Sequence, residues 1–217
     1  MIQFREVLKF YRPKGRVKIV LNHVSMVFEN GYSYGLFGVN GAGKSTLLRL
    51  AAGTELPNSG HVLRTSRVSW PLGFTGGFHP LMTGRDNLKF VARAYGADLR
   101  YVSNFVEDFS ELGDYLDTPV ETYSTGMQMR LAYALSMAIE FECYLVDETI
   151  AVGDARFQKR CEDAFAERRK NADLIMASHS AETIRQYCDR AAVVVDGNLL
   201  MFNAVDDAIE VYNRLNR

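Results

Sequence analysis

The sequence predicts an α/β fold: a mixed, largely parallel core sheet flanked by helices, with an N-terminal antiparallel β subdomain and a helical subdomain. Three observations carry this. From Cys143 onward, apolar strand-like runs alternate with helical ones (strand 143–147, helix 155–170, strand 173–177, helix 181–188, strand 191–195), the pattern of a parallel sheet covered by helices. Tyr34–Phe37 reads as a strand leading through a glycine-rich loop into the helical run Leu47–Ala52, with Gly53 as its stop. Residues 83–140 read mostly as helix. The expected organisation is one domain over 1–217, with 1–82 and 141–217 forming the core and 83–140 the helical part.

Taken in order, residues 1–37 are expected to pair as antiparallel strands. Val17, Ile19 and Leu21 alternate, Val24, Met26 and Phe28 alternate in the other phase, and Asn30-Gly31 supplies a tight hairpin turn. Arg12–Arg16 is a loop by composition, and its charges are read as solvated. Tyr11, just before it, offers a ring that could stack on a base or pack at the strand end. Pro57-Asn58-Ser59-Gly60 reads as a turn and Arg67–Trp70 as a strand. Gly73–Pro80 is a loop. Its rings Phe74 and Phe78 fit an exposed contact surface and core packing equally well. Thr83, with Asp86 three residues on, and Ser124 are N-cap candidates. Leu131, Leu135 and Ala138 form a helical apolar stripe, and Asp196-Gly197 turns the chain. A last helix, 204–215, is expected to face inward with Val205, Ile209, Tyr212 and Leu215.

The composition is that of an ordinary globular chain, 47% hydrophobic and 24% charged. A net charge of −1 provides no general field for nucleic acid. Cys143, Cys161 and Cys188 are far apart, with neither metal spacing nor a disulfide framework. Met1–Glu6 lacks the apolar core of a signal peptide, and Leu131–Ile139 is too short to span a bilayer, so any membrane role is expected to need a partner.

Two motifs carry chemistry. Gly38-Val39-Asn40-Gly41-Ala42-Gly43-Lys44-Ser45-Thr46 fits G-x-x-x-x-G-K-[ST]. Glycines let the backbone N–H groups converge on phosphate oxygens, and the following helix adds its positive end. Lys44 then reaches the β- and γ-phosphates and Ser45 the Mg²⁺ ion. The alternative is a glycine turn before an ordinary helix, which the strand before and the helix after disfavour. Tyr144–Glu148 is a buried strand ending in two carboxylates. Asp147 is placed to hold Mg²⁺ through water, and Glu148 to polarise the attacking water. A solvated acidic pair is the alternative.

Together these residues resemble the ATP-binding cassette (ABC) ATPases over the whole chain. Tyr123-Ser124-Thr125-Gly126-Met127-Gln128 is similar to the family's L-S-G-G-Q signature, with Thr125 and Met127 departing from it. Asp154 matches the D-loop aspartate, His179 the switch histidine, and Tyr11 the aromatic that stacks on adenine. The Q-loop glutamine is missing: no glutamine occurs between Leu47 and Met127. The run Asp147–Gln158 and the segment Gly77–Asn87 look like the polysaccharide-exporting branch, and the chain closely resembles the ATPase subunit of capsular-polysaccharide exporters of Gram-negative bacteria.

The resemblance implies an ATP hydrolase at the cytoplasmic face of the inner membrane, using ATP and Mg²⁺. Its partners would be a membrane-spanning permease subunit and a second copy of itself, bound head to tail, with polysaccharide engaged indirectly and no nucleic acid. ATP contacts fall to Tyr11, the loop residues Gly38, Asn40, Gly41, Ala42, Gly43, Lys44, Ser45 and Thr46, and the signature residues Ser124, Thr125 and Gly126. Asp154 would link the two sites, Ser45 and Asp147 hold the metal, and Glu148 and His179 catalyse. O-antigen or teichoic-acid export, a soluble ABC protein of translation or DNA repair, and a module without useful turnover are the rival expectations.

Overall fold

All four residues of Tyr34–Phe37 are buried, which suits a strand paired on both edges and covered on both faces. The computed structural model describes residues 1–147 and 153–215 and places this strand, β3, inside a six-stranded sheet. In chain order the elements are β1 (Ile2–Tyr11), β2 (Lys18–Phe28), β3 (Tyr34–Phe37), α1 (Lys44–Ala52), β4 (Ser59–Arg64), β5 (Val68–Pro71), α2 (Gly84–Ala94), α3 (Leu99–Ser110), α4 (Thr125–Ala138), β6 (Cys143–Asp147), α5 (Ala155–Arg169), β7 (Asp173–Ala177), α6 (Ala181–Tyr187), β8 (Arg190–Val195), β9 (Asn198–Phe202) and α7 (Val205–Leu215).

The chain divides into two compact units. The first comprises Met1–Pro71, Phe141–Thr149 and Asn171–Arg217, the second Leu72–Glu140 and Ile150–Lys170. The first unit holds two sheets, β2-β1-β4 and β5-β6-β7-β3-β8-β9. In the larger one β5, β6, β7, β3 and β8 run parallel, with β9 antiparallel at the edge. Leu36, Leu47, Leu48, Leu145 and Ile175 fill the core beneath α1. Each such side chain contributes about 1.5–3 kcal/mol by leaving water. Phe28 meets Phe4 of its own sheet edge-on at 6.2 Å and Tyr34 of the parallel sheet at 5.0 Å, and the second contact ties the two sheets together. Gly35 is required by close approach: a Cβ there would lie 2.2 Å from Ile184 Cγ2 of α6.

Several expectations are corrected. Asn30-Gly31 does not close a hairpin. β2 pairs with β1, while β3 pairs in parallel with β7 and β8, so residues 1–37 are not all antiparallel. Gly31 does take a positive φ of 83°, but its N–H donates to the Asp173 carboxylate at the sheet end. Val17 and Ile19 are exposed although they alternate with buried Leu21, because register shifts between Val7 and Phe10 break the phase of the β1–β2 ladder. Ser59-Gly60 begins strand β4 rather than completing a turn, and β9 was not expected. Both are edge strands with mostly exposed side chains, which erases the alternation that marks a half-buried strand. Leu215 is exposed, whereas Val205 and Ile209 are buried and Tyr212 stacks on Phe37 at 5.3 Å.

In the second unit α4 is buried at every position from Leu131 to Ala138, so its apolar surface is a full circumference rather than a stripe. Phe109 stacks on Tyr133, and Phe157 of α5 meets Phe109 edge-on. Helix α5 therefore packs in this unit, although the alternation of strands and helices assigns it to the core sheet. Asn87, 2% exposed, accepts from the His79 N–H and donates to the carbonyls of His79, Met82 and Thr83, fixing the approach to α2. Phe74 and Phe78 are half-buried; Leu81, Phe90, Tyr101 and Tyr115 are the exposed apolar side chains nearby in sequence. Among the described residues no helix is long and apolar enough to cross a membrane.

Gly35→Ala is expected to overpack the β3–α6 contact, costing about 1–3 kcal/mol and lowering Tm by roughly 3–10 °C. A melting curve superimposable on that of the unchanged protein would remove the close-approach argument.

Candidate nucleotide site

Five helices, α2 to α6, start on a side chain that accepts a hydrogen bond from their own first turn: Thr83, Asp98, Ser124, Asp154 and Ser180. Helix α1 starts on Gly43, which has no side chain to cap it. Its first N–H groups are left with the positive end of the helix dipole and no acceptor from the cap. Gly43 has φ 115°, and a Cβ would sit 2.4 Å from Val20 Cγ1, so glycine is needed both for the turn and for the hairpin packed behind it.

These donors open into a cavity of about 260 Å³ lined by Tyr11, Lys18, Val20, Asn40, Gly41, Gly43, Lys44, Ser45, Thr46, Asp147 and His179. The sheet order explains the gathering. β6, β7 and β3 are adjacent and parallel, and their carboxyl ends deliver Asp147, His179 and the glycine loop to one edge, where open α/β sheets bind ligands. Asp147 is the last residue of β6 and pairs with Ala177 of β7; His179 follows two residues later. Gly38 and Ala42 shape the loop without lining the cavity. The Lys44 ammonium donates to the carbonyls of Gly38 (2.5 Å) and Val39 (3.4 Å), which folds it over the loop.

Sequence reasoning missed Lys18 and Val20. Lys18 is the cross-strand partner of Tyr11, so both side chains leave the ladder on one face. Its Nζ lies 3.4 Å from the position of a Cβ on Gly41. The signal would have been the hairpin register, and that is hidden by the loop between the strands. Tyr11 stands at the end of β1 and lines the cavity. Its hydroxyl donates to Glu55 Oε1 (2.6 Å), accepts from Arg49 (3.3 Å) and lies 3.2 Å from Thr46 Oγ1. Burial alone would raise the Glu55 pKa, but hydrogen bonds from Lys9, Tyr11 and Arg49 outweigh it and hold the carboxyl at about 2.

The other expected site residues lie in the second unit and not in this cavity. Ser124 Oγ accepts from the Met127 N–H (3.2 Å), with Thr125 and Gly126 opening α4. Asp154 caps α5 through the Phe157 N–H (3.0 Å) and pairs with Arg130 (2.9 Å), and that N–H with the Arg130 charge keeps its carboxyl below the usual range. Glu111 joins the same cluster through Arg130, Arg156 and Arg160. Glu148 lies outside the described residues. Burial pushes the Cys143 and Cys161 thiols up to about 12, so neither is a nucleophile at neutral pH.

The arrangement defines a phosphate-loop nucleotide-binding protein: uncapped helix donors, a lysine on the loop, and one carboxylate and one imidazole at adjacent strand ends. The chain belongs to the ABC transporter family, whose model matches residues 21–151. It is 48% identical to the capsule polysaccharide export ATP-binding protein CtrD of Neisseria meningitidis serogroup B, over 99% of this chain and 100% of that one. It is 46% identical to the polysialic acid transport ATP-binding protein KpsT of Escherichia coli, over 99% of each. Among solved structures it resembles the ATP-binding cassette MJ0796 in a dimeric post-hydrolysis state bound to ADP and Pi. The TM-score is 0.70 at 18% identity, covering 92% of this chain and 96% of that one, a likeness of fold.

On the phosphate-loop reading Lys44→Ala would remove one charge-assisted contact to phosphate, and ATP affinity is expected to fall at least about tenfold. Equilibrium binding of a fluorescent ATP analogue checks this; an unchanged Kd would argue against the phosphate-loop role.

Proposed function

We propose that this chain is the ATP-binding and ATP-hydrolysing subunit of an ABC transporter that powers export of capsular polysaccharide across the inner membrane of a Gram-negative bacterium. The observation that carries the nucleotide reading is the glycine start of α1, which has no side-chain cap and whose first turn and dipole face the cavity beside Lys44 and Asp147. The polymer assignment is supported by full-length likeness to a capsule polysaccharide export ATP-binding protein and to a polysialic acid transport ATP-binding protein.

The site's chemistry fits ATP and magnesium. The glycine loop supplies backbone donors, Lys44 a cation, Ser45 and Asp147 hard oxygen ligands, and Tyr11 an aromatic face. No group of three or more His, Cys, Asp or Glu among the described residues is placed to hold a metal by itself. That suits an ion that takes most of its ligands from phosphate and water. Bound Mg²⁺ supplies charge neutralisation on the terminal phosphates. Glu148, next after Asp147, orients the attacking water and takes its proton, and His179 contacts the γ-phosphate. Because ATP contacts from the loop and from the signature are made by two copies of the chain, binding closes the pair and hydrolysis releases it.

Ser124 and the backbone around Gly126 cover the nucleotide held by the partner copy, and Asp154 couples the two sites. The permease subunit engages the second unit, where Leu81 and Phe90 expose apolar surface. With no membrane-crossing helix among the described residues, attachment to the inner membrane comes through that subunit.

Glu148→Gln is expected to abolish steady-state turnover while ATP still binds and drives dimer formation in size-exclusion chromatography; rapid turnover by the purified variant would cancel the base assignment. Ser124→Asp keeps the α4 cap, since a carboxylate also accepts from the helix N–H groups, but sets a charge against phosphate. It is expected to leave Tm within about 2 °C and to lose ATP-driven dimerisation. A dimer of undiminished affinity would separate the signature from the nucleotide.

A further inference from the structure

Resting on the ATP reading of the cavity, we propose that Glu55 is a positioning residue that sets the Tyr11 ring as the platform for the adenine base. Lys9 and Tyr11 are two residues apart on β1 and share a face. Glu55 reaches them from the turn after α1. Its Oε1 takes the phenol proton of Tyr11 (2.6 Å) and the Lys9 ammonium (2.7 Å), and its Oε2 takes Arg49 Nε (2.9 Å). Lys9 is only 8% exposed and also donates to the Leu56 carbonyl (2.8 Å). The turn is stitched to β1 as well: the Asn58 N–H donates to Leu8, and Asn58 accepts from the Phe10 N–H.

Three consequences follow for the ring. Its hydroxyl is held between Glu55, Arg49 and Thr46, and with its own proton committed to Glu55 the Thr46 hydroxyl supplies the remaining one. One ring face carries the Lys9 ammonium at 5.1 Å from the centroid, which leaves the other for the cavity that the ring lines. Thr46 and Arg49 both belong to α1, the helix whose first turn faces the phosphates, so the base platform is bonded to the phosphate cradle. Glu55 is the one anion in this group. Without it, Lys9 and Arg49 are left uncompensated and the phenol loses its 2.6 Å acceptor, so that only Arg49 and Thr46 hold the ring.

The test is a double-mutant cycle on the full chain, with Kd read for ATP and for inorganic tripolyphosphate. Base–aromatic stacking is worth about 1–3 kcal/mol, so Glu55→Ala is expected to weaken ATP about fivefold or more and to leave tripolyphosphate unchanged. In the Tyr11→Ala background the same change is expected to cost nothing further. Glu55→Gln, which keeps an acceptor for the phenol, is expected to recover part of the loss, and it stands in for the alanine variant should that one not fold. An equal loss for tripolyphosphate, or an undiminished effect without Tyr11, would make Glu55 a stabiliser of the fold and overturn the proposal. A Tyr11→Ala cost with no Glu55→Ala cost would overturn it while keeping the base platform. If Tyr11→Ala leaves ATP affinity untouched, the base platform itself is gone, and the positioning role with it.

Discussion

The first turn of α1 is the constraint around which the rest of the first unit is arranged. A helix that begins on glycine gives up the side-chain cap that five other helices use, at a cost of only about a few tenths of a kcal/mol, and keeps its donors for something outside the helix. Those donors are useful only if an anion can reach them, so neighbouring groups must stay clear. Gly43 keeps Val20 at contact distance, and Lys44 bends back onto the loop carbonyls of Gly38 and Val39. The parallel order β6-β7-β3 then brings Asp147 and His179 to the same edge with no long excursion of the chain.

The antiparallel sheet answers a different requirement. A phosphate cradle alone does not distinguish ATP from pyrophosphate, so a base-selective site needs an apolar face at a defined distance from the cradle. The chain bonds that face to α1 itself through Thr46 and Arg49, with Glu55 balancing the two cations. A polar cluster this well enclosed would be costly if any member were missing. Here the Glu55 carboxylate accepts from Lys9, Tyr11 and Arg49, and every one of these donors comes from the strand or helix being joined.

The parallel strands and the glycine loop were legible because burial on both faces leaves continuous apolar runs, and because a phosphate loop needs fixed residues at fixed intervals. Tyr34–Phe37 and Cys143–Asp147 are found where the pattern puts them. The edge strands β4 and β9 were not legible, since a strand that buries little has no pattern to show. The Asn30-Gly31 turn misled for a related reason: the dipeptide specifies a local change of direction, while the pairing of β3 is decided by which neighbours can bury it. The Glu55 cluster was invisible. Lys9, Arg49 and Glu55 are ordinary surface types in the sequence, and it is the β1–β4 pairing, reached through the turn after α1, that sets Glu55 beside Lys9.

Several residues proposed to serve the nucleotide also hold the structure, and the direction of their hydrogen bonds decides whether both tasks are compatible. Ser124 caps α4 by accepting with Oγ, which leaves its own O–H to donate to a phosphate oxygen. Asp154 caps α5 with a carboxylate that can only accept, so it suits a cationic or N–H partner such as Arg130, and not phosphate. Tyr11 donates its O–H hydrogen bond to Glu55 and keeps its ring face. The residues proposed to meet the nucleotide directly are thus those with a donor or a π-face left over after the fold is satisfied. The acceptor-only groups, Asp154 and Glu111, tie helices together where no phosphate is expected. Asp147 is the exception, an acceptor in the cavity that Lys18 and Lys44 also line, and the proposed Mg²⁺ would offset that mismatch.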